Sequence, residues 1–357
     1  MKKFFALLLV VVMSLSLIAC AQESTTTPPP EPTPETSSEA APEEPVANDV
    51  QELKLNLGMD SPEDTVTYLF SKKFSDLVKE KSGGKIDIQV YSNGALGKDT
   101  ELVESVQAGE VDFVVQNTAP EVSFVPGLAV FDMAKVFPDV EAARKVLAGP
   151  FLDRIGQEYS KAGLKLFGYV DQGFRQMSSN TKIESFDDFN GQKIRTLQNP
   201  YHVEYWKALG TNPTPLAWGE VYVGLQQGTI TAQENPYEVI VAAKLYEQQK
   251  YVMNTNHVVH LIALVGNEAK YNGYNDATKA VITEAVQEAK DWALAEADKR
   301  VADRIAIMEE NGVEIVELSD DVQQKMVEAT KSSYDMIRAA IGDELVDALL
   351  NAVKEVQ

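Results

Sequence analysis

Apolar residues at the start of the candidate folded region alternate with polar ones, which predicts a β-strand at residues 53–57. Apolar residues then recur every three or four positions over residues 66–78, which predicts an amphipathic helix with one buried face. Ser61 and Pro62 suit the start of this helix, because serine can cap a first turn and proline is favoured at the first helical position. The two glycines at residues 83–84 suit its end.

The alternation of strand and helix continues along the next stretch. The pattern predicts a strand at residues 86–90, a helix at 101–108 and a continuously apolar strand at 111–115, as in a buried parallel sheet. This order predicts a doubly wound α/β unit, in which ligands bind beyond the carboxyl ends of the strands. The polar residues at these strand ends, which are candidate ligand-binding residues, are Asp60, Gln116 and Asn117.

The chain is predicted to pass between two α/β units. A strand at residues 164–170 leads out of the first unit through a turn at 171–173, and a strand-like run at 251–265 leads back. We therefore predict two domains, each built from separate segments. Domain I is assigned residues 51–171 and about 261–300, and domain II residues 172–260 and about 301–357.

A stretch without glycine or proline, at residues 276–311, repeats apolar residues at helical spacing. A helix of roughly 35 residues with a rise of 1.5 Å per residue would be about 50 Å long. Because one small domain does not need that length, we expect this helix to brace both domains. A pair of helices joined at a kink is the alternative.

The first 20 residues have the features of a secretory signal peptide, because two lysines precede a short apolar run. The chain's one cysteine, Cys20, follows Ala19 in an arrangement that resembles a bacterial lipobox and predicts lipidation of Cys20. An ordinary signal peptide with a chance cysteine is the alternative. Residues 21–50 are rich in Pro, Thr, Ser and Glu, which predicts a disordered tether to the membrane.

The formal net charge of −22 argues against nucleic-acid binding, which needs a basic surface. It also means that long-range attraction cannot steer an anion to the protein, so local cations must capture it. Residues 193–196 are predicted to form a short strand, which places Arg195 near a strand end. Its planar guanidinium can bind a carboxylate through two parallel hydrogen bonds, and a structural ion pair is the alternative.

Several motifs resemble the DctP family, the solute receptors of tripartite ATP-independent periplasmic (TRAP) transporters. They are GFR at residues 173–175, GQKIR at 191–195, NPTPLAWGEVY at 212–222, LQQGT at 225–229 and QENP at 233–236. The resemblance runs from about residue 53 to the last helices. It implies a two-domain, type II-like periplasmic-binding-protein fold, with mixed sheets flanked by helices and a long helix across both domains.

The same resemblance implies a function and a set of ligand contacts. The receptor would capture a small organic acid, such as a C4-dicarboxylate, uronate or aldonate, in an interdomain cleft and deliver it to the membrane permease. Arg175, Arg195 and Asn235 match the family's cleft positions, and Arg195 matches the arginine that forms a salt bridge to the substrate carboxylate. Trp218 is a candidate to stack on the ligand's carbon skeleton, with a core position as the alternative.

Other kinds of chemistry find little support in the chain. His202, His257 and His260 do not have the spacing of a metal motif, and the common hydrolase and nucleotide-binding motifs are missing. We therefore predict no catalytic residue, metal or cofactor. The expected protein is an extracytoplasmic, lipid-anchored monomer. A lipoprotein that signals to a membrane sensor is one alternative, and a secreted enzyme is another.

Overall fold

The computed structural model describes residues 49–357. The predictions for the signal peptide, for Cys20 and for nearly all of the tether therefore lie outside the described residues. In the described part of the chain, no helix has both the length and the apolar composition that a membrane span needs.

Two mixed β-sheets and their flanking helices form the described fold. The strands, in chain order, are β1 (Leu53–Gly58), β2 (Ile86–Tyr91), β3 (Phe113–Asn117), β4 (Leu164–Phe174), β5 (Gln176–Ser179), β6 (Lys193–Thr196), β7 (Asn212–Pro215), β8 (Ala232–Asn235), β9 (Tyr251–Met253), β10 (Val259–Asn267) and β11 (Glu314–Val316). The α-helices are α1 (Val66–Lys81), α2 (Asp99–Ala108), α3 (Val140–Ala148), α4 (Phe151–Lys161), α5 (Pro200–Ala208), α6 (Val221–Gln227), α7 (Tyr237–Ala242), α8 (Glu268–Asn272), α9 (Asp276–Glu310), α10 (Asp320–Ala329), α11 (Lys331–Ile341) and α12 (Asp343–Val356).

The first sheet has the strand order β2-β1-β3-β10-β4. Strand β1 pairs in parallel with β2 and β3, as the alternation of strand and helix predicted. Strand β10 lies antiparallel between β3 and β4, so the sheet is mixed. The predicted return of the chain is confirmed, although the run at 251–265 divides into β9, in the second sheet, and β10, in the first.

The second sheet has the order β11-β9-β5-β8-β6-β7. Strand β5 is antiparallel to both β8 and β9, whereas β6 is parallel to β7 and β8. Strand β6 coincides with the strand predicted around Arg195. The carboxyl ends of β6 and β8 and those of β1 and β3 supply the polar residues of the site described below.

The start of α1 differs from the prediction. The helix begins at Val66, and its N-cap is Thr65, whose hydroxyl accepts a hydrogen bond from the Tyr68 amide at 3.3 Å. The expected cap and first helical residue, Ser61 and Pro62, lie in the preceding turn. Thr65 itself donates to the Pro62 carbonyl at 2.6 Å, which fixes that turn beside the cavity.

Helix α9 is one continuous helix of 35 residues, as predicted. Its first half packs on α1 and the first sheet through buried small residues such as Ala289 and Ala293. Near its end, Met308 joins a core cluster with Ile240 of α7 and Val252 of β9, which belong to the second sheet's side. The helix therefore contacts structure around both sheets.

The C-terminal helix α12 packs beside the first sheet. Val346, Leu349 and Val353 belong to the core cluster that contains Leu147 of α3 and Ile155 of α4. The sequence analysis assigned this segment to domain II. The division of the chain into two domains stays a prediction, and this packing associates α12 with the helices of the first sheet.

Candidate ligand-binding site

Side chains from the ends of both sheets line a small cavity of about 40 Å³. Five of the seven predicted ligand-binding residues meet there. They are Asp60 and Asn117 from the first sheet's side and Arg195, Trp218 and Asn235 from the second sheet's side. Gln116 and Arg175 are not part of this lining. His260 and Asp99, which the sequence analysis did not propose as site residues, also line the cavity, together with the hydroxyl side chains of Ser61 and Thr65.

Arg195 is 1% exposed, although it lines the cavity. Its Nε and Nη2 donate to the Leu216 carbonyl at 3.0 and 2.6 Å, which fixes the guanidinium plane. Its Nη1 has no hydrogen-bond partner among the described residues. Burial lowers the pKa of Arg195 to about 10, so the group stays charged at neutral pH. A buried cation with an unpartnered donor is suited to binding an anion.

Trp218 lies beside this guanidinium, whose central carbon is 5.9 Å from the indole centroid. The aromatic face favours a cation at this distance. The indole also contributes apolar surface to the cavity, where a ligand's carbon chain can pack. The predicted ligand-wall position of Trp218 therefore agrees with the geometry, while its contact with a ligand stays a prediction.

The guanidinium of Arg175 bonds to other protein groups and does not line the cavity. Its Nη2 donates to the Glu234 backbone carbonyl at 2.6 Å and to Asn235 Oδ1 at 3.0 Å, and its Nε pairs with the Glu234 carboxylate. Both Arg175 and Glu234 are almost fully buried. Burial alone would raise the pKa of Glu234, but the charge of Arg175 and the hydrogen bonds from His202, His257 and Arg175 together outweigh burial and hold that pKa well below its usual value. Arg175 thus orients Asn235, which does line the cavity.

His260 was missed as a site residue. Its Nδ1 faces the donor Nη1 of Arg175, and Asn117 Nδ2 lies 3.3 Å away. Because both neighbours donate, Nδ1 must accept and the ring proton lies on Nε2. Burial, and then the charge of Arg175, lower the pKa of His260 well below its usual value, so the ring is neutral. Its Nε2–H has no hydrogen-bond partner among residues 49–357 and is free to donate to a ligand.

Asp60 and Asp99 form a close pair of acids in the cavity wall. Asp60 follows β1, and Asp99 is the first residue of α2 and is 6% exposed. Burial raises the pKa of Asp60 well above its usual value, and the neighbouring Asp99 adds to this shift. Arg195 opposes it, since all three groups lie within electrostatic reach. The predicted helix began at residue 101, so the sequence did not mark Asp99, which the structure shows as the first residue of α2.

Gln116 and Asn117 point to opposite faces of β3, because successive side chains alternate in a strand. Asn117 lines the cavity, and its Nδ2 also donates to the Leu261 carbonyl at 2.9 Å. Gln116 is 1% exposed and lies toward Glu121 in the core, where its amide has no partner in hydrogen-bond geometry. Of the two site residues predicted on β3, only Asn117 lines this cavity.

The other two histidines are buried core residues. Burial disfavours a charge on His202, but Asp132, at 3.0 Å, and then Glu234 outweigh it and raise its pKa to about 9. His257 contacts the Glu234 carboxylate at 2.9 Å, and burial lowers its pKa to about 4. Across residues 49–357, no group of three or more His, Cys, Asp or Glu side chains is placed to hold a metal ion.

The model of the family described as bacterial extracellular solute-binding protein, family 7 (DctP), matches residues 57–340. The chain belongs to this family. The resemblance predicted from the sequence motifs is therefore confirmed. One relative, the C4-dicarboxylate-binding protein DctB of Bacillus subtilis (strain 168), is 30% identical over 295 residues, which cover 82% of this chain and 84% of the relative.

Two solved structures are similar to this chain in fold and in sequence. The sugar acid binding protein DctPAm from Advenella mimigardefordensis strain DPN7T, in complex with galactonate, has a TM-score of 0.84 and 28% identity, covering 87% of this chain and 100% of that one. A TRAP periplasmic solute binding protein from Polaromonas sp. JS666, bound to D-erythronate, has a TM-score of 0.79 and 30% identity, covering 84% and 98%. The predicted mixed α/β fold is thereby confirmed.

Proposed function

We propose that this DctP-family protein binds a small organic acid in the cavity lined by Arg195 and delivers it to the membrane permease of a TRAP transporter. The observation that carries the proposal is the buried Arg195, whose Nη1 is unpartnered in a cavity between the two sheets. Relatives that bind galactonate, D-erythronate and C4-dicarboxylates support an acid as the ligand class.

In this proposal each side chain of the site has a role that its geometry supports. The Nη1 and Nη2 edge of Arg195 takes the carboxylate, because Nε and one Nη2 hydrogen are already used by Leu216. His260 Nε2–H and the Asn235 amide supply further polar contacts from the lining, while Trp218 packs on the carbon chain. Arg175 acts indirectly, by orienting Asn235 and His260.

We further propose that the protein binds its ligand without turnover and works as a monomer. Membership of a solute-binding family supports binding as the activity. The lipobox-like position of Cys20 supports a lipid anchor on the extracytoplasmic face of the cell membrane. Membrane fractionation of a Cys20→Ser variant tests the anchor.

Replacing Arg195 with alanine should remove most of the preference for an acid over its amide. The ligand is first chosen by a thermal-shift screen of aldonates, uronates and C4-dicarboxylates. Calorimetry then measures the best acid and its amide. Truncating one partner of a buried charge pair typically costs about 2 to 5 kcal/mol, or roughly 30-fold to several thousand-fold in affinity. Arg195→Lys should recover little, because lysine lacks the planar fork.

Arg154→Ala is the matched control, since Arg154 is exposed and pairs with Glu344 at the surface. It should leave both affinities unchanged. An Arg195→Ala variant that still separates acid from amide as sharply as the wild type would show that another group holds the carboxylate. The proposal would then fail at its central contact.

A further inference from the structure

The cavity contains two acids for its one permanent cation. Its ionisable lining residues are Asp60, Asp99, Arg195 and His260. His260 is neutral because burial, and then the guanidinium of Arg175 that its Nδ1 faces, lower its pKa. Asp60 and Asp99 both line the cavity, and Asp99 is near enough to add to the rise in the pKa of Asp60. The acid pair and Arg195 therefore face the same small space.

An independent feature indicates what occupies one end of that space. Arg195 is 99% buried, lines the cavity and has an unpartnered Nη1. Leaving such a donor without an acceptor is unfavourable in a buried site, so a ligand oxygen is expected there. Under the proposed function, that oxygen belongs to a carboxylate.

The charge balance then limits the rest of the ligand. One ligand carboxylate neutralises Arg195. Burial raises the pKa of Asp60, so the acid pair shares a proton, and the negative charge that remains on the pair then has no cation in the cavity. A second ligand carboxylate in so small a cavity would lie beside Asp60 and Asp99, and like charges in a buried site strongly disfavour ionisation. Groups that donate hydrogen bonds have the opposite effect, because carboxylate oxygens are acceptors.

We propose that Asp60 and Asp99 select a monocarboxylate whose other end donates hydrogen bonds, through hydroxyl or ammonium groups, and that they reject dicarboxylates. The inference rests on the proposed function, because Arg195 must hold the first carboxylate. It adds Asp99, which the sequence did not reveal, as a specificity-determining residue. It also separates this chain from relatives that are C4-dicarboxylate receptors.

Three four-carbon acids test the selection: 2,3,4-trihydroxybutanoate, 4-aminobutanoate and succinate. Calorimetry on the wild type should show at least one of the two donor-bearing acids binding roughly 10-fold or more tightly than succinate. The donor that gives the tighter complex identifies hydroxyl or ammonium as the recognised group. Asp60→Asn and Asp99→Asn should each reduce the preference by about 10-fold, because each change removes an acceptor oxygen and the negative charge that the two carboxyls share.

Asp303→Asn is the matched control, since Asp303 is exposed on α9, away from the cavity. It should leave the preference unchanged, and circular dichroism should show that all three variants are folded. Succinate binding most tightly to the wild type, or an unchanged preference in both cavity variants, would overturn the inference while leaving the role of Arg195 intact. Failure of every acid to bind, or an Arg195→Ala variant with full affinity, would instead overturn the proposed function.

Discussion

Glu121 is a carboxyl enclosed in the apolar core beside the first sheet. It is 1% exposed and accepts a hydrogen bond from the Tyr159 hydroxyl, which in turn accepts one from Tyr169 at 3.3 Å. Burial raises the pKa of Glu121 to about 8, and the bond from Tyr159 only partly opposes the shift. At neutral pH this acid is therefore mostly protonated, unlike a glutamate in the unfolded chain.

The folded state consequently binds a proton that the unfolded state releases between about pH 4.5 and pH 8. The free energy of unfolding should fall as the pH rises through that window, by at most about 1.4 kcal/mol per pH unit from this group. Glu121→Gln keeps the shape and cannot ionise, so its stability should depend less on pH. Urea unfolding at pH 5, 6, 7 and 8 measures the difference between variant and wild type.

The control is Glu104→Gln, because Glu104 is exposed on α2. Its stability should follow the wild-type pH dependence. The free energies of unfolding of Glu121→Gln and the wild type could instead change with pH in parallel from pH 5 to pH 8. The pKa of Glu121 would then be the same in the folded and unfolded states, and the statement that Glu121 is protonated in the folded protein at neutral pH would be wrong.

Single residues were predictable where a local pattern placed them. Arg195 followed from a short strand and its motif, and Asp60 from the end of an alternating strand. His260 and Asp99 did not follow, because an antiparallel strand and a helix start bring them to the cavity from distant parts of the chain. The ion pair between Arg175 and Glu234 was not predictable either, because the pairing of β5 with β8 brings these two residues together.

At the scale of elements, α9 shows how a pattern of small residues sets the distance between helices. Ala285, Ala289 and Ala293 are fully buried where α9 packs near α1 and the first sheet. Small side chains allow close packing, and extra methylene groups in a well-packed core force neighbours to move. The length of this helix was predictable from its lack of breakers, whereas its packing partner was not.

Ala293→Leu should therefore destabilise the protein by about 1 to 3 kcal/mol, because the added carbons have no space to occupy. Ala295→Leu provides the comparison, since Ala295 is exposed on the same helix two residues further on. That change should stay within about 0.5 kcal/mol of the wild type. Chemical denaturation of both variants measures the contrast, and equal stabilities would mean that the α9 face is loosely packed.

At the scale of the whole molecule, the predicted order of strands and helices is largely realised. The insertion of β10 between β3 and β4 and the position of α12 beside α3 are the main features that the pattern did not contain. Both depend on contacts between residues far apart in sequence. Local periodicity carries no information about such contacts, so they could not be predicted from it.

The location of the whole molecule is predicted to depend on a lipid anchor, which attaches Cys20 to the membrane. A single acyl chain anchors a protein only marginally, so stable retention needs more than one chain. Cys20→Ser should move the protein from the membrane fraction to the soluble fraction, as judged by immunoblotting after ultracentrifugation. Full membrane retention of the variant would refute the lipid anchor, and Ser24→Ala, four residues into the predicted tether, should remain in the membrane fraction.

The Leu216 carbonyl, finally, gives the receptor a preorganised arginine. Because Nε and Nη2 of Arg195 are already bonded to it, the side chain is fixed before any ligand arrives. An arginine that is free in solution would lose about 2 kcal/mol of rotamer entropy on being ordered by a ligand. In this protein the rotamer entropy of Arg195 is lost on folding and not on binding. Differences in affinity among acids therefore reflect the shape and flexibility of the acids themselves.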